Sequence, residues 1–149
     1  GKQTVDLDAS LSMRAGSHAV DVNLQVSEDL QDMAAGIVKH PGVTFVEGDR
    51  DISENAWTYI ATWGPQSLDG GSLGMAILFQ KGALSEITED EWNHVVVFGS
   101  NNQHYHYKFL GAWDGEPNGV QTLDAFKAYL ESSVKALNNP PKLTMQQAE

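Results

Sequence analysis

The chain has 149 residues, enough for one domain that buries a real core. Its formal net charge of −11 argues against nucleic acid and anionic membrane surfaces as partners, since both are bound through basic patches. There is no cysteine, hence no disulfide framework, thiol nucleophile or zinc–thiolate site, and no apolar run long enough to span a bilayer.

From the N-terminus the chain reads mostly as strands. It opens Gly1-Lys2-Gln3 with no Met, the start expected of a processed product or an excised piece, and no signal peptide is visible. Residues 4–13 alternate apolar with polar, the pattern of a half-buried strand; 14–17 turn, and 18–26 alternate again to complete a hairpin. Residues 36–40 form a strand stopped by Pro41-Gly42, and 43–47 form a short one before the charged turn 48–51. The aromatic run 57–63 ends at Gly64-Pro65, and an apolar strand spans 73–79 after the glycine-rich loop 67–72. The acidic stretch 86–91 is expected to be a loop or a single helical turn, followed by a buried strand over 94–98.

Residues 102–113 are aromatic and β-prone, and the Gly- and Pro-rich segment 114–119 closes them. Side chains alternate across a strand, so His104, His106 and Lys108 share one face while Tyr105, Tyr107, Phe109 and Trp113 share the other. The rings can anchor the strand in a core. The ionisable row is then either a solvated outer face or a site. A helix follows: Thr122 is a suitable N-cap, Asp124 suits the first turn, and Leu123, Phe126, Leu130, Val134 and Leu137 recur at helical spacing. Asn138-Asn139-Pro140-Pro141 ends it. These elements predict a mainly β protein, an antiparallel β-sandwich with one C-terminal α-helix. Residues 1–141 are expected to form a single domain, with 142–149 a loosely ordered tail.

Several separated motifs occur in a fixed order: Gly36-Ile37-Val38-Lys39-His40, Ala61-Thr62-Trp63-Gly64-Pro65-Gln66-Ser67, Leu73-Gly74-Met75-Ala76, Ile87-Thr88-Glu89-Asp90-Glu91, then Gly111-Ala112-Trp113 with Glu116-Pro117-Asn118-Gly119. Over roughly residues 30–140 this succession resembles domain-of-unknown-function family 4861, a bacterial family found among polysaccharide-utilisation genes. The resemblance implies a fold like half of the supersandwich shared by galactose mutarotases and several polysaccharide lyases. Members look about twice as long or more, so the chain would correspond to their C-terminal part and pack against a second polypeptide segment, an N-terminal half or a separate chain. Periplasmic or extracellular placement in a bacterium follows from the same likeness. No catalytic role can be carried over, so the candidate site rests on the chemistry of the residues.

Sugar rings stack their C–H faces on aromatic side chains, and amides and hydroxyls read their OH groups. Trp57 and Trp92 are expected in the core. Trp63 and Trp113 end strands before Gly/Pro loops, where cleft walls form, and with Gln66 and Tyr105 they are candidate substrate contacts. His106, His104 and His40 are candidate proton-transfer groups, and Lys39 and Lys108 (Arg14 as well) could neutralise a uronate carboxylate as its C5 proton leaves. These residues are expected to share one cleft. His18 and His94 lie within strand patterns and read as structural. No cofactor is expected; a His-x-His pair could hold a divalent metal at His104 and His106, but no third ligand is visible. The favoured function is a carbohydrate-active, lyase-type enzyme acting on uronic-acid-containing chains. The alternatives are a mutarotase-type epimerase, a glycoside hydrolase using carboxylates such as Asp69, Asp114 and Glu116, or a non-catalytic carbohydrate-binding or scaffold half.

Overall fold

The computed structural model describes residues 4–30, 33–100 and 103–141. Among these, β1 (Leu7–Met13), β2 (Ala19–Val26), β3 (Met33–Val38), β4 (Thr44–Glu47), β5 (Trp57–Pro65), β6 (Ser72–Gln80), β7 (Leu84–Glu89), β8 (Asn93–Phe98) and β9 (His104–Trp113) precede one helix, α1 (Leu123–Asn138). The strands build a six-stranded sheet, ordered β1-β2-β9-β6-β5-β4, and a three-stranded sheet, β3-β8-β7; every pairing is antiparallel.

Strand alternation sends Val22, Val26, Ile60, Ile77, Phe79, Tyr105 and Tyr107 to one face of the large sheet, where they meet Ala35, Ile37, Val96 and Phe98 of the small one. The opposite residues, among them Trp57, Tyr59, Trp63, Ala76, Leu78 and Leu110, pack under Phe126 and Leu130 of α1. The molecule is thus a β-sandwich with its helix on the outer face of the larger sheet. β5 is covered on both sides and buried from Trp57 to Gly64, which explains its unbroken apolar run.

α1 starts where a cap is available: the Thr122 hydroxyl accepts from the Ala125 amide at 3.1 Å. Its other end is tied to β5, because the Trp57 amide donates to Asn138 Oδ1 at 2.7 Å and Asn138 Nδ2 donates back to the Trp57 carbonyl. Close approach of helix to sheet depends on Gly74, where a Cβ would lie 2.5 Å from the Phe126 ring. No helix among the described residues is long and apolar enough to cross a membrane.

Three expectations need correction. β1 is exposed along its whole length rather than half-buried, because the small sheet does not reach it; Leu7, Leu11 and Met13 stay about 60% accessible. The acidic stretch is a strand, β7: only Leu84 and Ile87 turn inward, a bulge shifts the register between Leu84 and Glu86, and the glutamates face water on a sheet edge. Trp92 is 66% exposed, since the Asp90 carboxylate accepts from the amides of Trp92 and Asn93 and turns the chain there. Trp57 is a core residue, as expected. Residue 102, at the expected start of the central strand, and the tail 142–149 lie outside the described residues.

Candidate functional site

α1 packs chiefly on β5, and beyond Leu110 and Ala112 the same sheet face on β9, β2 and β1 carries polar side chains instead of a core. Register sets the neighbours. Lys108 stands opposite Asp21, His106 opposite Asn23 and His104 opposite Gln25, while Asp21 and Asn23 stand opposite Ser12 and Ser10 of β1.

Asp21 is the centre of this platform. Its Oδ1 lies 2.6 Å from His106 Nε2, and its Oδ2 accepts from Lys108 Nζ at 2.6 Å. Partial burial pushes the Asp21 carboxyl up, but hydrogen bonds and charge from Lys108 and His106 outweigh this and hold it below the ordinary aspartate value. Trp57 closes the cluster from the core side. Its ring meets His106 edge-on at 5.1 Å, and the Lys108 ammonium sits 5.5 Å from its centroid. In the neutral imidazole, an Nε2 proton donated to Asp21 leaves Nδ1 as the accepting nitrogen. Asp21 therefore orients the ring and presents a base.

Beside this cluster runs a groove of about 500 Å³ between the C-terminal half of α1 and strands β1, β2 and β9. Asp21, Lys108, Arg14, Ser12 and Tyr129 reach into it, and Leu78, Leu137, Pro140 and Pro141 supply apolar surface. At its rim His18 uses both ring nitrogens: Nδ1 is 3.0 Å from the Tyr129 hydroxyl and Nε2 is 2.8 Å from Glu116 Oε2. The His18 and Tyr129 rings are perpendicular at 5.3 Å.

The structure brings together some of the residues named from sequence and separates others. His104, His106 and Lys108 share the platform, with His104 exposed. Lys39 and His40 follow β3 of the small sheet, on the other side of the molecule; Lys39 pairs with Glu89 and donates to the Asp90 carbonyl. The expected cleft uniting them with His106 is not formed, because the large sheet stands between. Trp63 is 7% exposed and packs against Phe126 at 5.2 Å, so its ring belongs to the core. Tyr105 is buried against the small sheet and donates to the Leu30 carbonyl at 2.7 Å, and burial raises its phenol pKa. The Gln66 amide spans the β5–β6 turn, donating to the carbonyls of Thr62 and Leu73. Trp113 remains partly exposed, 42%, on a loop-facing strand end.

The carboxylates sort similarly. Asp69 accepts from the Ser67 hydroxyl and the Gly71 amide, and Asp114 from the Ser72 amide, so both hold the β5–β6 loop. His94 stacks on Phe45 at 4.2 Å and lies 3.6 Å from Glu89; burial depresses its pKa, with Glu89 opposing. Among the described residues no three His, Asp or Glu side chains converge as a metal site. Sequence reasoning missed Asp21, Tyr129 and the engagement of His18 with Glu116. Asp21 carried one available signal, a lone charge within the alternating strand 18–26; Tyr129 carried none, since it reads as one more ring on an amphipathic helix.

The fold and this platform define a β-sandwich protein whose larger sheet carries an Asp–His–Lys cluster beside a groove. A family model described as a domain of unknown function (DUF4861) matches residues 1–143, and the chain belongs to that family. No curated protein and no solved structure matches the chain.

Proposed function

We propose that the protein is carbohydrate-active and performs lyase-type β-elimination on uronic-acid-containing chains, with the Asp21–His106–Lys108 cluster at its centre. The observation that carries this reading is one carboxylate holding an imidazole and an ammonium, each at 2.6 Å, beside a groove of sugar-binding size. Elimination needs a base for the C5 proton and a cation where enolate charge develops on the adjacent carboxylate. His106 Nδ1 takes the C5 proton, and Lys108 neutralises the carboxylate. The C5–H electron pair becomes the C4=C5 double bond, the C4–O bond breaks, and water protonates the leaving oxygen.

A lone carboxylate facing the histidine would favour epimerisation instead. Here the cation shares that carboxylate and a tyrosine lies along the groove, the combination that suits elimination. Hydrolysis is less supported, because Asp69, Asp114 and Glu116 are occupied by loop amides or by His18. The reading also includes a second polypeptide segment added along β1. Asp6 directs its carbonyl to the Ser27 amide, so by strand alternation the backbone groups of Leu7, Ala9, Leu11 and Met13 point away from β2, beside an exposed apolar stripe.

The test is incubation with a panel of uronate-containing oligosaccharides, followed by absorbance of the unsaturated product. His106→Ala should abolish product formation while circular dichroism is unchanged. Wild type without product across the panel, or a fully active His106→Ala, overturns the reading.

A further inference from the structure

Asp21 is already matched by Lys108 and His106, so the surplus charge facing the groove is that of Arg14, which makes no ion pair with another described residue. In a chain of net charge −11 the charged groups lining this groove, Arg14, Lys108 and Asp21, sum to +1. A local cationic concavity on an acidic protein selects anionic ligands by focusing the field. Arg14 presents a planar fork that fits a carboxylate in bidentate fashion.

Facing it across the groove is Tyr129, whose hydroxyl is fixed by a chain drawn from three distant parts of the sequence. Glu116 holds His18 Nε2 at 2.8 Å, and His18 Nδ1 meets the Tyr129 hydroxyl at 3.0 Å. With Nε2–H donated to the carboxylate, Nδ1 accepts the Tyr129 proton, and the phenol oxygen keeps its lone pairs for a ligand OH. Leu137 and Pro140 add the apolar surface on which a sugar ring can lie.

We propose that this groove is the subsite for the carboxylated sugar unit, with Arg14 pairing its carboxylate and Tyr129, positioned by His18 and Glu116, accepting from a ring hydroxyl. The inference rests on the elimination reading above and deepens it by adding Arg14 to Lys108 as a second cation for the acidic unit.

The test titrates trigalacturonate and the neutral trigalactose into ¹⁵N-labelled full chain, with product absorbance read in parallel. Binding should shift amides of Arg14, Ser17 and Tyr129 and favour the acidic sugar. Arg14→Gln should weaken the acidic sugar about tenfold, as for one lost charge-assisted bond, and leave the neutral sugar unchanged. Tyr129→Phe should weaken both, and Arg14→Lys should restore only part of the acidic preference. Equal affinity of wild type and Arg14→Gln for trigalacturonate, or no binding by wild type, overturns the proposal. Arg14-dependent binding without unsaturated product sinks elimination and leaves this subsite standing; undiminished product formation by Arg14→Gln does the reverse.

Discussion

Asp21→Asn should destabilise the protein through Lys108 more than through His106. The change keeps the shape of the side chain and one acceptor oxygen but removes the charge on which two partners converge. Losing one member of a buried ion pair costs about 3–5 kcal/mol, chiefly because the other charge is stranded. Lys108 keeps only 13% of its side chain in solvent and is the stranded group, whereas His106 keeps 42% and can be rehydrated. With Asp21 itself 29% accessible, screening lowers the expected cost to about 2–3 kcal/mol. At about 2–4 °C per kcal/mol for a chain of this size, the melting temperature at pH 7 should fall by roughly 5–10 °C. Adding Lys108→Met removes the stranded ammonium and should return part of the loss. The acid dependence has a definite sign. The folded carboxyl lies below the usual 3.8, so its contribution is present above that value and disappears as pH falls through the folded one. Wild type should therefore exceed Asp21→Asn from neutral pH down to about 4, and the gap should close in stronger acid. A melting temperature for Asp21→Asn within about 1 °C of wild type at pH 7 would refute the reasoning.

Trp63→Ala should cost about 3–5 kcal/mol in urea unfolding, as expected for a buried ring against Phe126, whereas Trp113→Ala should cost about 1 kcal/mol or less. Equal losses would mean that their burial has been misassigned. Gly74→Ala should destabilise by about 1–3 kcal/mol, because the new methyl meets the Phe126 ring at 2.5 Å in a packed layer; a neutral outcome would show that α1 can shift outward freely.

Much of the architecture can be read from local pattern. β5 announces itself by an apolar run bounded by Gly64-Pro65, β9 by its alternating rings and ionisable groups, and α1 by Thr122 and the spacing of Phe126 and Leu130. Pattern alone cannot say how far a second sheet extends. Leu7, Leu11 and Met13 alternate as correctly as Val22 and Val26, yet only the latter two are covered. Nor does the sequence of β7 betray pairing on one side only, since its glutamates face water. The site was half visible for a related reason. His106 and Lys108 declare themselves by lying two residues apart, but no local pattern connects them to Asp21 or His18 to Glu116 and Tyr129. Equally, His40 and Lys39 looked like partners of His106 because periodicity reports which way a residue faces on its own strand, not which sheet that strand joins.

The pairing of β2 with β9 also governs when the site can come into being. Asp21 stands 85 residues from His106 and 87 from Lys108. Closing so long a loop is entropically costly, and contacts of such separation form slowly and late. During synthesis the β1–β2 hairpin must wait until His104–Trp113 emerges before its partner strand is available. The Asp21 carboxylate gains His106 and Lys108 as partners only in the step that completes the large sheet. A truncation anywhere between β2 and β9 therefore removes the site outright, even where β3 to β8 retain most of the hydrophobic pairing between the sheets.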